Sequence, residues 1–304
     1  MTPSKGQIDP RIAWIFGSSR SGSTWLLRML SDLNGVVPVD DPHLGHHLGV
    51  WRPISLAWAA CEDPPELATL IDVKAEEPGY FFADRYRDAW WDPLRLLIRA
   101  RFEAQASECG NGRAPSDSHY VVKEPGSHVA PLLAELFPAS KVIFLLRDGR
   151  DVVDSWLDAY SDGSWAIPGG AFPVAAEGRI ALIRWLSSVW AYRSRAVRTA
   201  FESRSDADRI LIRYEQLRED TTACLDAVCG VLGLDPGPVP EVVARHRFER
   251  VSDRGSGRAV RLATPGGWRG NLMPAERAAM HEAIGPALEE FGYRLGSQQL
   301  AATS

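Results

Sequence analysis

The residues best suited to chemistry begin at Trp14 and run to Leu30. Gly17 and Gly22 bracket Ser18, Ser19, Arg20 and Ser21, and Ser23-Thr24 follow. This spacing is that of a loop whose backbone N–H groups point into an anion at the positive end of the next helix. A loop built to hydrolyse ATP or GTP carries Gly-Lys-Ser/Thr, with the lysine on the outer phosphates. Here Ser23 stands at that position and the cation, Arg20, lies inside the loop. The expected ligand therefore bears a phosphate but is not a triphosphate with Mg²⁺. An ordinary Ser/Gly-rich turn between a strand and a helix is spelled with the same letters.

Four further places hold reactive groups. Val36 to Gly49 contains Asp40, Asp41, His43, His46 and His47. Because this stretch returns from the first helix, it emerges at the same carboxyl edge of a sheet as the glycine loop, where open α/β folds bind ligands. It reads as a source of a general base or as a solvated polar loop. A metal held by His43, His46 and His47 is a third reading, but neither a cysteine nor a helical His-x₃-His spacing supports it, so no metal is expected. Lys123 and Glu124 end a second strand pattern, His119 to Gly126. Arg147 closes the apolar run Lys141 to Leu146, and Ser155 lies on the helix that follows. A guanidinium at a strand tip and a hydroxyl on the next helix grip one anion from two sides. A Gly-, Ser- and Arg-rich piece from Ser252 leads to Gly266-Gly-Trp268-Arg269-Gly-Asn271. It reads either as a basic loop closing over an anionic ligand or as a surface loop.

The elements that must position these groups follow from periodicity. Trp25, Leu26, Met29, Leu30 and Leu33 recur at helical spacing before Asn34-Gly35. Leu94 to Glu108 is expected to be an amphipathic helix with Leu94, Leu97, Ile98 and Phe102 on its inner side. Lys141 to Leu146 has the continuous apolar character of a strand buried on both faces. A helix from Ala175 to Ser203 should present Ile180, Ile183, Leu186, Trp190 and Val197 to the sheet. Arg209 to Leu217 reads as another strand, Glu241 to His246 as a short helix, and Pro274 to Tyr293 as the closing helix. Aromatic residues are dense between Trp51 and Phe102; they either line an acceptor pocket or form core.

Apolar content of 45% and charged content of 24% are those of a globular chain. A net charge of −5 argues against a general nucleic-acid surface. The four cysteines, Cys61, Cys109, Cys224 and Cys229, have no framework spacing, so a reducing, cytoplasmic setting is expected. No apolar run reaches the roughly 20 residues of a membrane span, and neither export nor anchoring is expected. The expected organisation is a disordered arm over 1–10, one domain over 11–296 and a disordered tail over 297–304.

Four separated pieces match one pattern in order. Gly17 to Trp25 resembles the 5′-phosphosulfate loop of sulfotransferases that use 3′-phosphoadenosine 5′-phosphosulfate (PAPS). Arg147 with Ser155 resembles that family's 3′-phosphate site. Arg213-Tyr214-Glu215-Gln216-Leu217 is similar to its Tyr-Glu-Asp strand end, and Gly266 to Asn271 resembles its late Gly/Trp/basic loop. The resemblance spans about 14 to 293 and implies an α/β, three-layer, P-loop-like fold with a central parallel sheet flanked by helices. It implies that Arg20, Ser21, Gly22, Ser23 and Thr24 hold the 5′ end of PAPS, with Trp25 and Tyr214 near adenine. Arg147 and Ser155 then take the 3′-phosphate, and Trp268 and Arg269 belong to the covering loop.

Arginine at position 20, where the cytosolic branch has lysine, resembles the carbohydrate and bacterial branches and offers a fork to phosphosulfate oxygens. The implied reaction moves the sulfuryl group to a hydroxyl, or an amine, of a small-molecule, lipid or carbohydrate acceptor, with Arg20 and Lys123 at the leaving oxygen. The pattern departs at Lys123-Glu124-Pro125, where cytosolic members carry Lys-Thr-His with histidine as base. The resemblance to branches with an acidic base after the first helix implies Asp41 in that role, with His43, His46 and Glu124 as competitors. A kinase-like phosphotransferase and a non-catalytic nucleotide-binding protein are the alternatives.

Overall fold

Five consecutive apolar residues, Ile12–Phe16, form β1, and every one of them is buried. They alternate between two cores, as successive strand residues must. Trp14 and Phe16 point to one face of the sheet, and Ala13 and Ile15 to the other. The structure is a computed structural model that describes residues 9–47, 79, 81–108, 118–159, 178–247 and 264–295, with only the backbone of residues 46 and 47.

The sheet also contains β2 (Val36–Asp40), β3 (His119–Lys123), β4 (Lys141–Leu146) and β5 (Arg209–Arg213). The order is β2-β3-β1-β4-β5 and every pairing is parallel. The chain is thus an α/β protein with a five-stranded parallel sheet between helical layers. Pro38 is tolerated in β2 because that strand is an edge, where a missing N–H is not needed by a second neighbour.

One face is covered by α1 (Ser23–Ser31), α7 (Tyr214–Glu219), α8 (Thr221–Leu232) and α9 (Val239–Arg245). The other is covered by α3 (Arg87–Glu108), α4 (Ala130–Leu136), α5 (Gly149–Ala159), α6 (Gly178–Glu202) and α11 (Pro274–Glu290). The short α2 (Leu44–His47) and α10 (Trp268–Asn271) lie at the loops. β1 therefore sends its chain to one face while its neighbours β3 and β4 send theirs to the other. The carboxyl end of β1 is a topological switch point, where such sheets open a crevice.

Several elements differ from the sequence reading. β5 stops at Arg213 and Tyr214 begins a helix; that turn lets Glu215 accept the Asp148 N–H at 2.9 Å. The helix expected from Leu94 begins at Arg87 and carries Pro93 inside it. Its added first turn buries Trp90 and sets the Arg87 guanidinium 3.9 Å from the Trp91 ring centre. Leu94, Ile98 and Phe102 face inward, but Leu97 is 68% exposed. Ile180 is only partly buried, near the start of α6. Asp9, assigned to a disordered arm, is instead buried, because Arg95 and Arg99 of α3 pair with its carboxylate. The basic stretch from Ser252, the aromatics Trp51, Trp58 and Tyr80, and the arms over 1–8 and 297–304 lie outside the described residues.

Candidate active site

The glycine loop is shaped by close approach. Gly22 has φ 94°, and a Cβ placed there would lie 2.6 Å from the Tyr214 ring. Only glycine meets both conditions. Trp25 and Leu26 donate their N–H groups back to Gly22 O at 3.0 and 3.1 Å, and no side chain caps the start of α1. Ahead of that pair, the Ser23 and Thr24 N–H groups lie at the positive end of the helix. Arg20 itself has φ 73°, a conformation few side chains adopt.

Arg20, Arg147, Ser155 and Tyr214 come together at this loop although they are far apart in sequence. Arg20 Nε donates to Ser155 Oγ at 3.0 Å, and Arg147 Nη1 donates to Arg20 O at 2.8 Å. The Arg147 guanidinium lies 4.4 Å from the Tyr214 ring centre, within cation–π range. Ser21 is buried in the loop, Ser23 opens α1, and Thr24 Oγ1 accepts from Lys123 Nζ at 2.7 Å. Trp25 is largely absorbed into the core beneath α1, 9% exposed, and its indole donates to His246 O at 2.9 Å.

Lys123 joins the loop to the acidic turn after β2. Its ammonium lies 2.6 Å from Asp40 Oδ1 and 3.0 Å from Asp41 Oδ2. Both aspartates therefore reach this one lysine. The strand alternation ends at Asp40, because Asp41 and His43 have φ 47° and 52° and turn the chain sharply. Glu124, a rival for the base, is 1% exposed and holds this turn instead. Its carboxylate accepts Leu44 N and Gly126 N, both at 2.8 Å. Burial raises the Glu124 carboxyl above the ordinary range, and these N–H bonds oppose that rise. His43 is exposed; the side chains of His46 and His47 lie outside the described part of the chain. Among the described residues, no group of three His, Cys, Asp or Glu is arranged to hold a metal.

The late segment expected to be a loop is in part the short helix α10. Asp151 Oδ2 accepts Gly266 N at 2.7 Å and Asp154 Oδ2 accepts Asn271 Nδ2 at 2.7 Å. Segment 264–271 is thus fixed to α5, the helix that carries Ser155. Burial pushes the Asp151 carboxyl up to about 6, against the nearby Arg147 charge and the Gly266 N–H. Trp268 is buried, while Arg269 is exposed. Arg269 lines a cleft of ≈ 320 Å³ together with Asp148, Asp151, Glu215 and Tyr293.

Sequence reasoning missed Asp151, Asp154, Ser127 and Arg193. Ser127 Oγ accepts Gly17 N at 3.1 Å and donates to Gly17 O, pinning the start of the loop. Arg193 Nη1 donates to Ser19 Oγ at 2.8 Å from α6. A signal for Arg193 was present: a charge between Trp190 and Val197 falls on the inward stripe of α6. The two aspartates had a weaker one, an Asp at i and i+3 directly before Ser155.

A second cleft, of ≈ 550 Å³, is lined by Asp40 and Asp41 and opens between the end of β2 and α3. Phe82, Leu94, Ile98 and Phe102 are part of its wall, so the later part of the aromatic segment contributes both to core and to this cleft.

A profile described as the sulfotransferase family matches residues 13–237. No curated protein matches the chain. Among solved structures, it is similar to the sulfotransferase domain of the Synechococcus olefin synthase, at 20% identity and TM-score 0.55, over 94% of this chain and 95% of that one. It is similar to the sulfotransferase domain from the curacin biosynthetic pathway at 15% identity and TM-score 0.51, over 94% and 98% of the two chains. It is also similar to a mouse sulfotransferase complexed with PAP, at 12% identity and TM-score 0.53, over 94% and 85%. At such identities the likeness concerns the fold.

Proposed function

The chain belongs to the sulfotransferase family, and on that premise we propose that it moves the sulfuryl group of PAPS to an acceptor hydroxyl, releasing adenosine 3′,5′-bisphosphate. The observation that carries this reading is the convergence of Arg20, Arg147 and Ser155 on one glycine loop, with Lys123 between that loop and Asp41. The cradle fits the nucleotide: Gly22 leaves no room for a Cβ, the first turn of α1 is uncapped, and the cations lie beside them. PAPS supplies the sulfuryl group and a stable bisphosphate as its leaving half. Arg20 and Lys123 provide positive charge where negative charge develops, held in place before reaction by neighbours rather than by water. In this reading Arg147 and Ser155 take the 3′-phosphate, the family resemblance assigns Trp25 and Tyr214 to the adenine although both are buried, and Trp268 and Arg269 belong to the cover tied down by Asp151 and Asp154.

Asp41 is the general base in this reading. It lines the ≈ 550 Å³ cleft and pairs with Lys123, its side chain 41% exposed and within reach of an incoming hydroxyl. Glu124 is sequestered by two N–H groups and holds the turn. Calorimetry with adenosine 3′,5′-bisphosphate and ATP, followed by turnover of PAPS, tests the reading. Tight bisphosphate binding with sulfated product is expected. Preference for ATP returns the chain to the phosphotransferases, and bisphosphate binding without turnover of any acceptor makes it a nucleotide-binding protein.

A further inference from the structure

The cleft between β2 and α3 names a class of acceptor. Leu94, Leu97 and Ile98 fall on one stripe of α3, opposite Val39 and Leu44, and all five line the cleft. Leu97 is 68% exposed within that wall. A lone exposed leucine is ordinary, but this one belongs to a continuous apolar wall whose end is Asp41. The polar side chains of the lining are few beyond the two aspartates: the Gln105 amide donates to Pro38 O, and Arg101 is exposed. A sugar needs a hydrogen-bond partner for each of its buried hydroxyls, and a wall of Leu44, Leu94, Leu97 and Ile98 supplies none.

We propose that the acceptor is an alcohol with an extended apolar body, its hydroxyl at Asp41 and its carbon chain along Leu94, Leu97 and Ile98. This rests on the reading of Asp41 as the base and defines the acceptor of that same site. In the transfer, the acceptor oxygen forms the new S–O bond, its proton passes to the Asp41 carboxylate, and the S–O bond to the bisphosphate breaks with its electron pair on the leaving phosphate.

The test is calorimetry of 1-butanol, 1-hexanol, 1-octanol and glucose on the full chain loaded with adenosine 3′,5′-bisphosphate. Affinity should rise about fourfold per methylene, the ~0.8 kcal/mol of a buried CH₂, while glucose does not bind. Leu97→Asp, a change at an exposed position, should weaken 1-octanol by about tenfold or more and leave bisphosphate affinity within twofold. A flat chain-length series, glucose binding as well as octanol, or indifference to Leu97→Asp overturns the proposal. If the bisphosphate itself fails to bind, the donor reading falls, and the alcohol series on the unloaded chain still decides the acceptor class. If octyl sulfate forms at the wild-type rate in Asp41→Asn, Asp41 loses its role and the apolar acceptor stands.

Discussion

The two sides of the Lys123 ammonium are built on opposite principles. On the proposed donor side, Arg20, Arg147, Ser155 and Arg193 are held by hydrogen bonds to one another or to the loop. On the proposed acceptor side, a cleft of ≈ 550 Å³ is lined mostly by carbon and leaves Leu97 open to solvent. The difference follows from what each side has to recognise. An anion of fixed shape is best met by dipoles and cations already oriented, whereas apolar attraction is non-directional and asks only for area. A sulfotransferase with this division should be strict toward its donor and graded toward its acceptor.

The largest expected effect breaks the border itself. Asp41→Asn keeps the shape and removes proton affinity, so kcat should fall by about two orders of magnitude or more while calorimetry finds bisphosphate affinity nearly unchanged. Activity within a few-fold of wild type, with His43→Ala inactive, would move the base to His43.

Next is the electrostatic cost within the donor side. The Asp151 carboxyl is raised to about 6 by burial, so the folded chain binds a proton there more tightly than the unfolded one. The ionised form is disfavoured in the fold, and its cost appears as pH rises from the ordinary carboxylate value through about 6. Each tenfold gain in proton affinity corresponds to ~1.4 kcal/mol. Denaturant titrations should therefore show the stability of wild type relative to Asp151→Asn falling by about 3 kcal/mol between acidic and neutral pH. Above neutrality the difference should be flat.

A smaller effect sharpens donor selectivity. Arg147→Ala removes one charge-assisted contact, worth ~1.5–3 kcal/mol. It should weaken adenosine 3′,5′-bisphosphate by about tenfold or more and 5′-AMP little, as read by calorimetry. Equal losses for both nucleotides would take Arg147 out of the 3′ site. The smallest expected effect is none. Chelator treatment should leave sulfation unchanged, because Arg20 and Lys123 supply the charge. Restoration of a chelated sample by Zn²⁺ would reopen the histidine reading of His43, His46 and His47.

Much of this site was legible as sequence because its parts are local. The glycine spacing from Gly17 to Gly22, the missing Gly-Lys-Ser and the run Lys141 to Leu146 each fix a conformation through neighbours only. Backbone permissiveness, strand alternation and helical period act over a few residues, and so strand β1, helix α1 and the position of Arg147 follow from the chain alone. Tertiary structure decided what the groups touch. Arg193 reaches Ser19 across 174 positions, and Asp151 reaches Gly266 across 115. No local periodicity encodes such pairs; they arise because the packing of α6 and α5 on one face of the sheet brings buried polar groups together, where each must find a partner. The turn at Asp41, which sends both aspartates to Lys123, was hidden for the same reason. Its left-handed backbone is enforced from outside, by the buried Glu124 carboxylate gripping Leu44 and Gly126.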